Sequence, residues 1–263
     1  MSTLTSDQKF TRILLHHSRG WASINAMREI AQAGVPLAAK IISERHKAFV
    51  DALVTDGQLN KLIIGIKDAD DLNKATGWLR ETLTAQALKN ASCSVDAASL
   101  VFAHSVLDDA LTSHLEITSE VAFDFWQRRV GQKKIELSRL INTPLEEITR
   151  KAVRHELSSL SRESMLQRAD VLHAVCTDLG ADLGSYKFHR DTLARIDKIR
   201  QDIVHGDLLG QELVEIDKDL EYLRLTWDYF FVAMHRSFGL RIDPVSFSKS
   251  DWLRTKFGGR EAL

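Results

Sequence analysis

An all-α fold is predicted by three features of the chain. Apolar residues recur at steps of three and four through most of its 263 residues, strict alternation is almost absent, and 13 glycines with three prolines leave little material for the turns of a multi-stranded fold. A chain of this length can bury a sizeable core, as one large helical domain or as a core with a helical extension.

Taken in order, Phe10, Ile13, Leu14, His17, Trp21, Ile24 and Met27 mark a first helix, with Gly20 at a candidate kink, and Gly34-Val35-Pro36 is expected to break it. Pro36 suits a first helical turn, so a second helix is expected to run to Asp56-Gly57 with Leu37, Ile41, Ile42, Phe49 and Leu53 inside. The run Leu62-Ile63-Ile64-Gly65-Ile66 has strand composition but no second β-rich run to pair with, and is read as buried helix or loop. A helix from Asp70 or Asp71 to about Asn90 follows, and a new one is expected from Ser94, with Val95, Leu100, Ala103, Leu107, Ala110 and Leu111 giving a central helix its continuous apolar face.

Phe123 to Lys134 is the stretch where aromatics and basic residues interleave, and it makes Arg128, Arg129, Lys133 and Lys134 the candidate contacts for an RNA backbone; the competing reading is a solvated basic cluster. Thr143-Pro144-Leu145-Glu146-Glu147 predicts a helix start: a threonine cap, a proline in the first turn and acids at the positive end of the dipole. Met165, Ala169, Leu172, Cys176 and Leu179 give a further helix before Gly180, and a loop at Gly184 leads into the next. After Gly210, the series Leu213, Ile216, Leu220, Leu223, Trp227, Phe230, Met234 and Phe238 draws one apolar stripe along a helix, a pattern that more often marks core than a dimer seam. The tail beyond Pro244 is short and mixed in charge.

The chemistry concentrates at Arg200-Gln201-Asp202-Ile203-Val204-His205-Gly206. Ile196, Ile199 and Ile203 repeat at helical spacing, and Gly206 can adopt the left-handed conformation that stops a helix, so His205 is placed on the last turn. An arginine presents a planar charged fork to phosphate oxygens, and a histidine titrates near neutrality and can give or take a proton. At about 100° per residue an offset of five sets the two side chains roughly 140° apart, so they converge only if the helix end unwinds or a second copy contributes, and a composite site across a homodimer is the expected solution. The plainer reading pairs Arg200 with Asp197 or Asp202 and leaves His205 as a helix cap.

This motif, with four residues between arginine and histidine, a following glycine and then another long helix, resembles the signature of the HEPN superfamily, tightly at the motif and loosely from about Cys93 to Phe238. The resemblance implies an all-helical HEPN-like bundle over residues 93–240, with a helical extension at 1–92 and a tail at 241–263. It implies a metal-independent endoribonuclease of toxin, stress or antiviral-defence type, with Arg200 and His205 catalytic and Gln201 and Asp202 in support. It also implies an acidic residue on the first core helix, Asp108 or Asp109, that orients Arg200. RNA is the implied substrate, a second copy of the chain and a cognate antitoxin or other defence component the implied partners, and a 2′,3′-cyclic phosphate with a 5′-hydroxyl the implied products. Two positions depart from the pattern: Gln201 stands where active members often carry Asn, Asp or His, and Asp207 stands where members paired with a nucleotidyltransferase present a tyrosine.

Composition narrows the alternatives. A net charge of -1 provides no global basic field, so any grip on RNA has to be local, which counts against a pure binding protein. The runner-up is nonetheless a non-catalytic helical module that binds RNA or protein and keeps the motif as a structural remnant or dimer contact. Cys93 and Cys176 form no Cys-x-x-Cys pair, so neither a disulfide framework nor a structural zinc site is expected, and a reducing compartment fits. His104 and Asp108, four apart, could share a metal, but two ligands make no site, and no cofactor is expected. No apolar run reaches the length of a membrane span and the first ten residues are polar, so a cytoplasmic protein is the expectation.

Overall fold

The computed structural model describes residues 4–63, 66–131, 144–180, 184, 186–206, 213 and 215–243. Among them there are seven helices of nine residues or more, one four-residue helical turn and no strand, as predicted. The helices are α1 (Ser6–Thr55), the short α2 (Leu59–Leu62), α3 (Ala69–Val121), α4 (Phe123–Gly131), α5 (Leu145–Leu160), α6 (Met165–Asp178), α7 (Tyr186–His205) and α8 (Ile216–Phe238).

Two expected helix breaks are absent. α1 runs through Gly34-Val35-Pro36 with the proline inside it. Proline removes one hydrogen-bond donor and crowds the carbonyl four residues back, here that of Gln32. Pro36 and Gln32 are both exposed, so water can satisfy the carbonyl that loses its donor. α3 likewise continues through 90–94, where no proline or glycine interrupts the ladder and the Ser94 hydroxyl donates to the Asn90 carbonyl within the helix instead of capping a new one. Leu37, Ile41, Phe49 and Leu62, expected inside, are exposed, as is Leu179. Pro144 occupies the cap position of α5 rather than its first turn, while Thr143, Lys133, Lys134, Asp207, Gly210 and the tail from Pro244 lie outside the described residues.

The chain forms two compact units, one from the described parts of Met1–Ser23, Leu100–Gln201 and Asp217–Leu263, the other from Ile24–Ser99 and Asp202–Ile216. Helices α1, α3 and α7 each contribute to both. In the first unit the beginning of α1 lies antiparallel to the end of α3: Lys9 pairs with Glu120, and Gly20 meets Val106. A Cβ at Gly20 would stand 2.7 Å from Val106 Cγ2, so the residue read as a kink is instead the point of close approach between two helices. The predicted central face, Leu100, Ala103, Leu107, Ala110 and Leu111, is buried, and so is the α8 stripe from Ile216 to Met234. Helices α4 and α5 pack together, with the Arg150 guanidinium 5.2 Å above the Phe123 ring, and the buried Trp126 indole donates to Thr118 Oγ1 at 3.1 Å.

The second unit is an antiparallel helical hairpin. Arg28 pairs with Asp96, His46 with Thr84 and Arg80 with Asp51, so rising numbers on α1 meet falling numbers on α3. Gly57, at φ 65°, makes the predicted turn at its tip. The cysteines are free and buried one in each unit, and burial pushes the Cys176 thiol up to about 12. No helix is long and apolar enough to cross a membrane among the described residues.

The core of the first unit holds two histidines whose acid form it cannot accommodate. His17 stacks on Trp227 at 3.7 Å and accepts a hydrogen bond from the Trp21 indole at 2.7 Å, while His114 is fully buried with neither ring nitrogen bonded to a protein group. Burial lowers both to about 3, helped at His17 by the neighbouring His114 and His16. With the folded values far below the unfolded one, the unfolded chain binds extra protons between pH 3 and 6.5, at about 1.4 kcal/mol per pKa unit. Stability is therefore expected to be complete above pH 6.5 and to fall as the pH drops towards 3. Urea midpoints measured between about pH 7.5 and 4 should show this decline, and the double variant His17→Phe, His114→Phe should flatten it.

Candidate functional site

A cavity of about 360 Å³ opens within the first unit, where α3, the α5–α6 turn and the second half of α7 come together. Helical spacing supplies its walls. His104 and Asp108 stack four apart on α3, and Asp197, Arg200 and Gln201 share a face of α7 through offsets of three and four. Arg168 enters from α6, whose first turn is fixed by a capping box: Ser164 Oγ accepts from the Gln167 amide while the Gln167 side chain accepts from the Ser164 amide.

Arg168 is nearly inaccessible to solvent, at 5% exposure, and its guanidinium is shared out among four acceptors. Nη1 donates to the carbonyls of Leu160 (3.2 Å), Ser161 (3.0 Å) and Glu163 (2.7 Å), and Nη2 donates to the Asp108 carboxylate. Beside it, His104 Nε2 lies 3.1 Å from Asp197 Oδ1. Because a carboxylate only accepts, Nε2 carries the proton and Nδ1 is the unprotonated nitrogen. Burial lowers the His104 pKa, the carboxylates of Asp197 and Asp108 oppose that shift, and the nearby Arg200 adds to it. Gln201 Nε2 donates to the second oxygen of Asp197 at 3.2 Å, so both oxygens of that carboxylate are engaged.

Arg200 is the exception to this pattern of pairing. It lines the cavity half-buried, its Nε is inaccessible and bonded to nothing, and among the described residues no carboxylate lies within ion-pair distance of it. Asp197 is spent on His104 and Gln201, and Asp202 makes no ion pair among the described residues. The expectation that Asp108 or Asp109 orients Arg200 is corrected: Asp108 is held by Arg168, and the exposed Asp109 pairs with His16 at 3.3 Å.

His205 stands exposed on the last turn of α7, and Gly206 follows at φ 88°, donating its amide to the Ile203 carbonyl at 3.1 Å, which is the left-handed helix stop predicted. Arg200 and Gln201 belong to the first unit, Asp202 and His205 to the second. The two described residues of the basic stretch have partners: Arg128 pairs with Asp178 and Arg129 with Glu156 at 3.0 Å. His104 and Asp108 are each engaged by a different partner, and no group of three metal-binding side chains gathers among the described residues.

Two members of this site escape a reading of the sequence. The Ser164-x-x-Gln167 capping box was a usable signal for where α6 begins, and so for where Arg168 points. The His104–Asp197 contact spans 93 positions and has no local signature. Comparison with protein-family models, with curated proteins and with solved structures returned no match.

Removing Arg168 should be costly, because it would leave Asp108 and three carbonyls without their donor. Arg168→Ala is expected to lower stability by about 3–5 kcal/mol in chemical denaturation, and Arg168→Lys to recover only part, since an ammonium cannot span four acceptors. A loss below about 1 kcal/mol in Arg168→Ala would show that the guanidinium does not hold the α5–α6 turn.

Proposed function

We propose that the chain is an endoribonuclease of the HEPN type that cuts RNA without a metal, with Arg200 binding the scissile phosphate and His205 transferring a proton. The observation that carries this reading is Arg200 itself, a half-buried guanidinium lining a cavity while Asp108 and Asp197 beside it are bonded to other groups. A planar fork with no counter-ion among the described residues is matched to phosphate oxygens. The exposed His205 on the terminal turn is placed to meet a substrate from solvent and carries the ring nitrogens that can protonate a departing oxygen. The motif's resemblance adds the reaction class: attack by the ribose 2′-OH, with a cyclic phosphate and a 5′-hydroxyl as products. It adds a setting in stress, toxin or antiviral defence, with an antitoxin or similar component as the restraining partner.

The alternative is a non-catalytic module that binds RNA or protein, and one observation favours protein as its ligand: Arg128 and Arg129, two of the four expected RNA contacts, are already ion-paired. Expression separates the two readings. A nuclease is toxic and is relieved by Arg200→Ala or His205→Ala, whereas a module is tolerated in all forms.

Cleavage of a single-stranded RNA should persist in excess EDTA and should be abolished by a 2′-deoxy substitution beside the cut. His205→Ala should lower kcat by about 10²–10⁴-fold, and Arg200→Lys should also be poor because a point charge does not replace the fork. Strict dependence on Mg²⁺, or full activity in both variants, would place the chemistry on other residues.

The roughly 140° between the two side chains on one ideal helix predicts that active protein is a homodimer. Light scattering at micromolar concentration should report twice the monomer mass, and a monomer with undiminished cleavage would contradict the composite arrangement.

A further inference from the structure

We propose that His104, oriented by Asp197 and sharing a cavity with Arg200, is the general base that takes the ribose 2′-OH proton. The inference rests on the ribonuclease reading above and deepens it, because it assigns the two proton transfers to two different histidines. The motif helix alone has a geometric difficulty: Arg200 and His205 point in widely different directions. His104 comes from another helix, α3, and lines the same 360 Å³ cavity as Arg200, so a phosphate held by the arginine would bring its ribose to the imidazole within one protomer. A volume of this order is in the range of small-ligand pockets.

The imidazole is prepared for that role by its surroundings. Donation from Nε2 to Asp197 fixes the ring and leaves the Nδ1 lone pair as the basic atom, and Gln201 in turn holds the other Asp197 oxygen. The charged groups around its cavity are Asp197 and Arg200 on α7, Asp108 and the His16-paired Asp109 on its own helix, Arg168 on α6 paired to Asp108, and Glu163 in the α5–α6 turn. Burial and Arg200 keep the ring neutral at physiological pH, the form a base requires, while Asp197 stabilises the imidazolium once the proton has moved. In the reaction the 2′-OH proton passes to His104 Nδ1, the 2′-oxygen forms a bond to phosphorus and the bond from phosphorus to the 5′-oxygen breaks. The leaving oxygen takes a proton from the protonated His205 of the second copy in the homodimer proposed above, and the two histidines return to their starting states by exchange with water.

The test uses the full chain and a fluorophore-labelled single-stranded RNA oligonucleotide, with kcat and KM followed from about pH 4.5 to 9. The wild type is expected to lose kcat/KM on an acid limb that inflects below pH 6.5. His104→Gln should reduce kcat about 10²–10⁴-fold with KM changed less than roughly threefold and should abolish that limb, while His205→Ala retains it in its residual activity. Asp197→Asn removes a carboxylate that raises the His104 pKa, so its acid limb should move to lower pH. Thermal melts of each variant separate lost chemistry from lost structure. Should His104→Gln fail to fold, the Asp197→Asn limb decides, and a limb that stays in place overturns the proposal. Full activity in a folded His104→Gln overturns it too while leaving the nuclease reading intact, whereas a wild type that cuts no RNA removes both.

Discussion

The guanidinium of Arg168 sets the terms for everything around the candidate site. A cation that is almost wholly buried must be surrounded by acceptors, and this one claims three carbonyls at the end of α5 and in the turn beyond it, together with Asp108 on α3. That claim closes the α5–α6 turn and ties it to the central helix. It also removes Asp108 from competition for the arginine on α7. Asp197 is removed in the same way, by His104 on one oxygen and Gln201 on the other. Among the described residues, the unpaired state of Arg200 is thus the remainder of a distribution of carboxylates in which neighbouring donors are served first. Gln201 has a place in that distribution as a neutral donor that secures the second oxygen of Asp197.

Buried histidines fall into two classes in this unit. His114 sits beside the Phe10 ring with no carboxylate to favour its charged form, and His17 lies against two indoles. These belong to the core and tell on stability. His104 is as well shielded but has Asp197 against it and a cavity beside it, so its charged form is reachable. Burial alone does not distinguish the classes. The difference lies in the second group that each imidazole meets.

The helices were legible because an apolar stripe at steps of three and four has few competing explanations, and the stop at Gly206 was legible because a left-handed residue after a periodic run is a local event. What failed to read correctly was also local in appearance. Pro36 carries a real penalty in a helix, but on an exposed face the freed carbonyl is hydrated and the long α1 carries through. The basic residues at 128 and 129 looked available because Asp178 and Glu156, which neutralise them, lie far along the chain. For the same reason Arg200 and His205 stood out, being close in sequence, whereas the Asp197–His104 and Asp108–Arg168 pairs depend on contacts between distant segments.

The first unit is assembled from three separated stretches of chain, and this has a kinetic meaning. Phe10, Ile13 and Leu15 of its core are joined to Leu100 and Leu107 only after the whole of residues 24–99 has been laid down between them. Closing so long a loop costs chain entropy before any contact repays it, although the cost grows only logarithmically with length. The helical hairpin in between shortens the path: its antiparallel legs return the chain to where it started, and local helix formation can run ahead of long-range closure. The hairpin therefore acts during folding as a splint that delivers the two halves of a discontinuous core to one another. A chain cut at the middle of α3 would lose that delivery along with the first residues of the core itself.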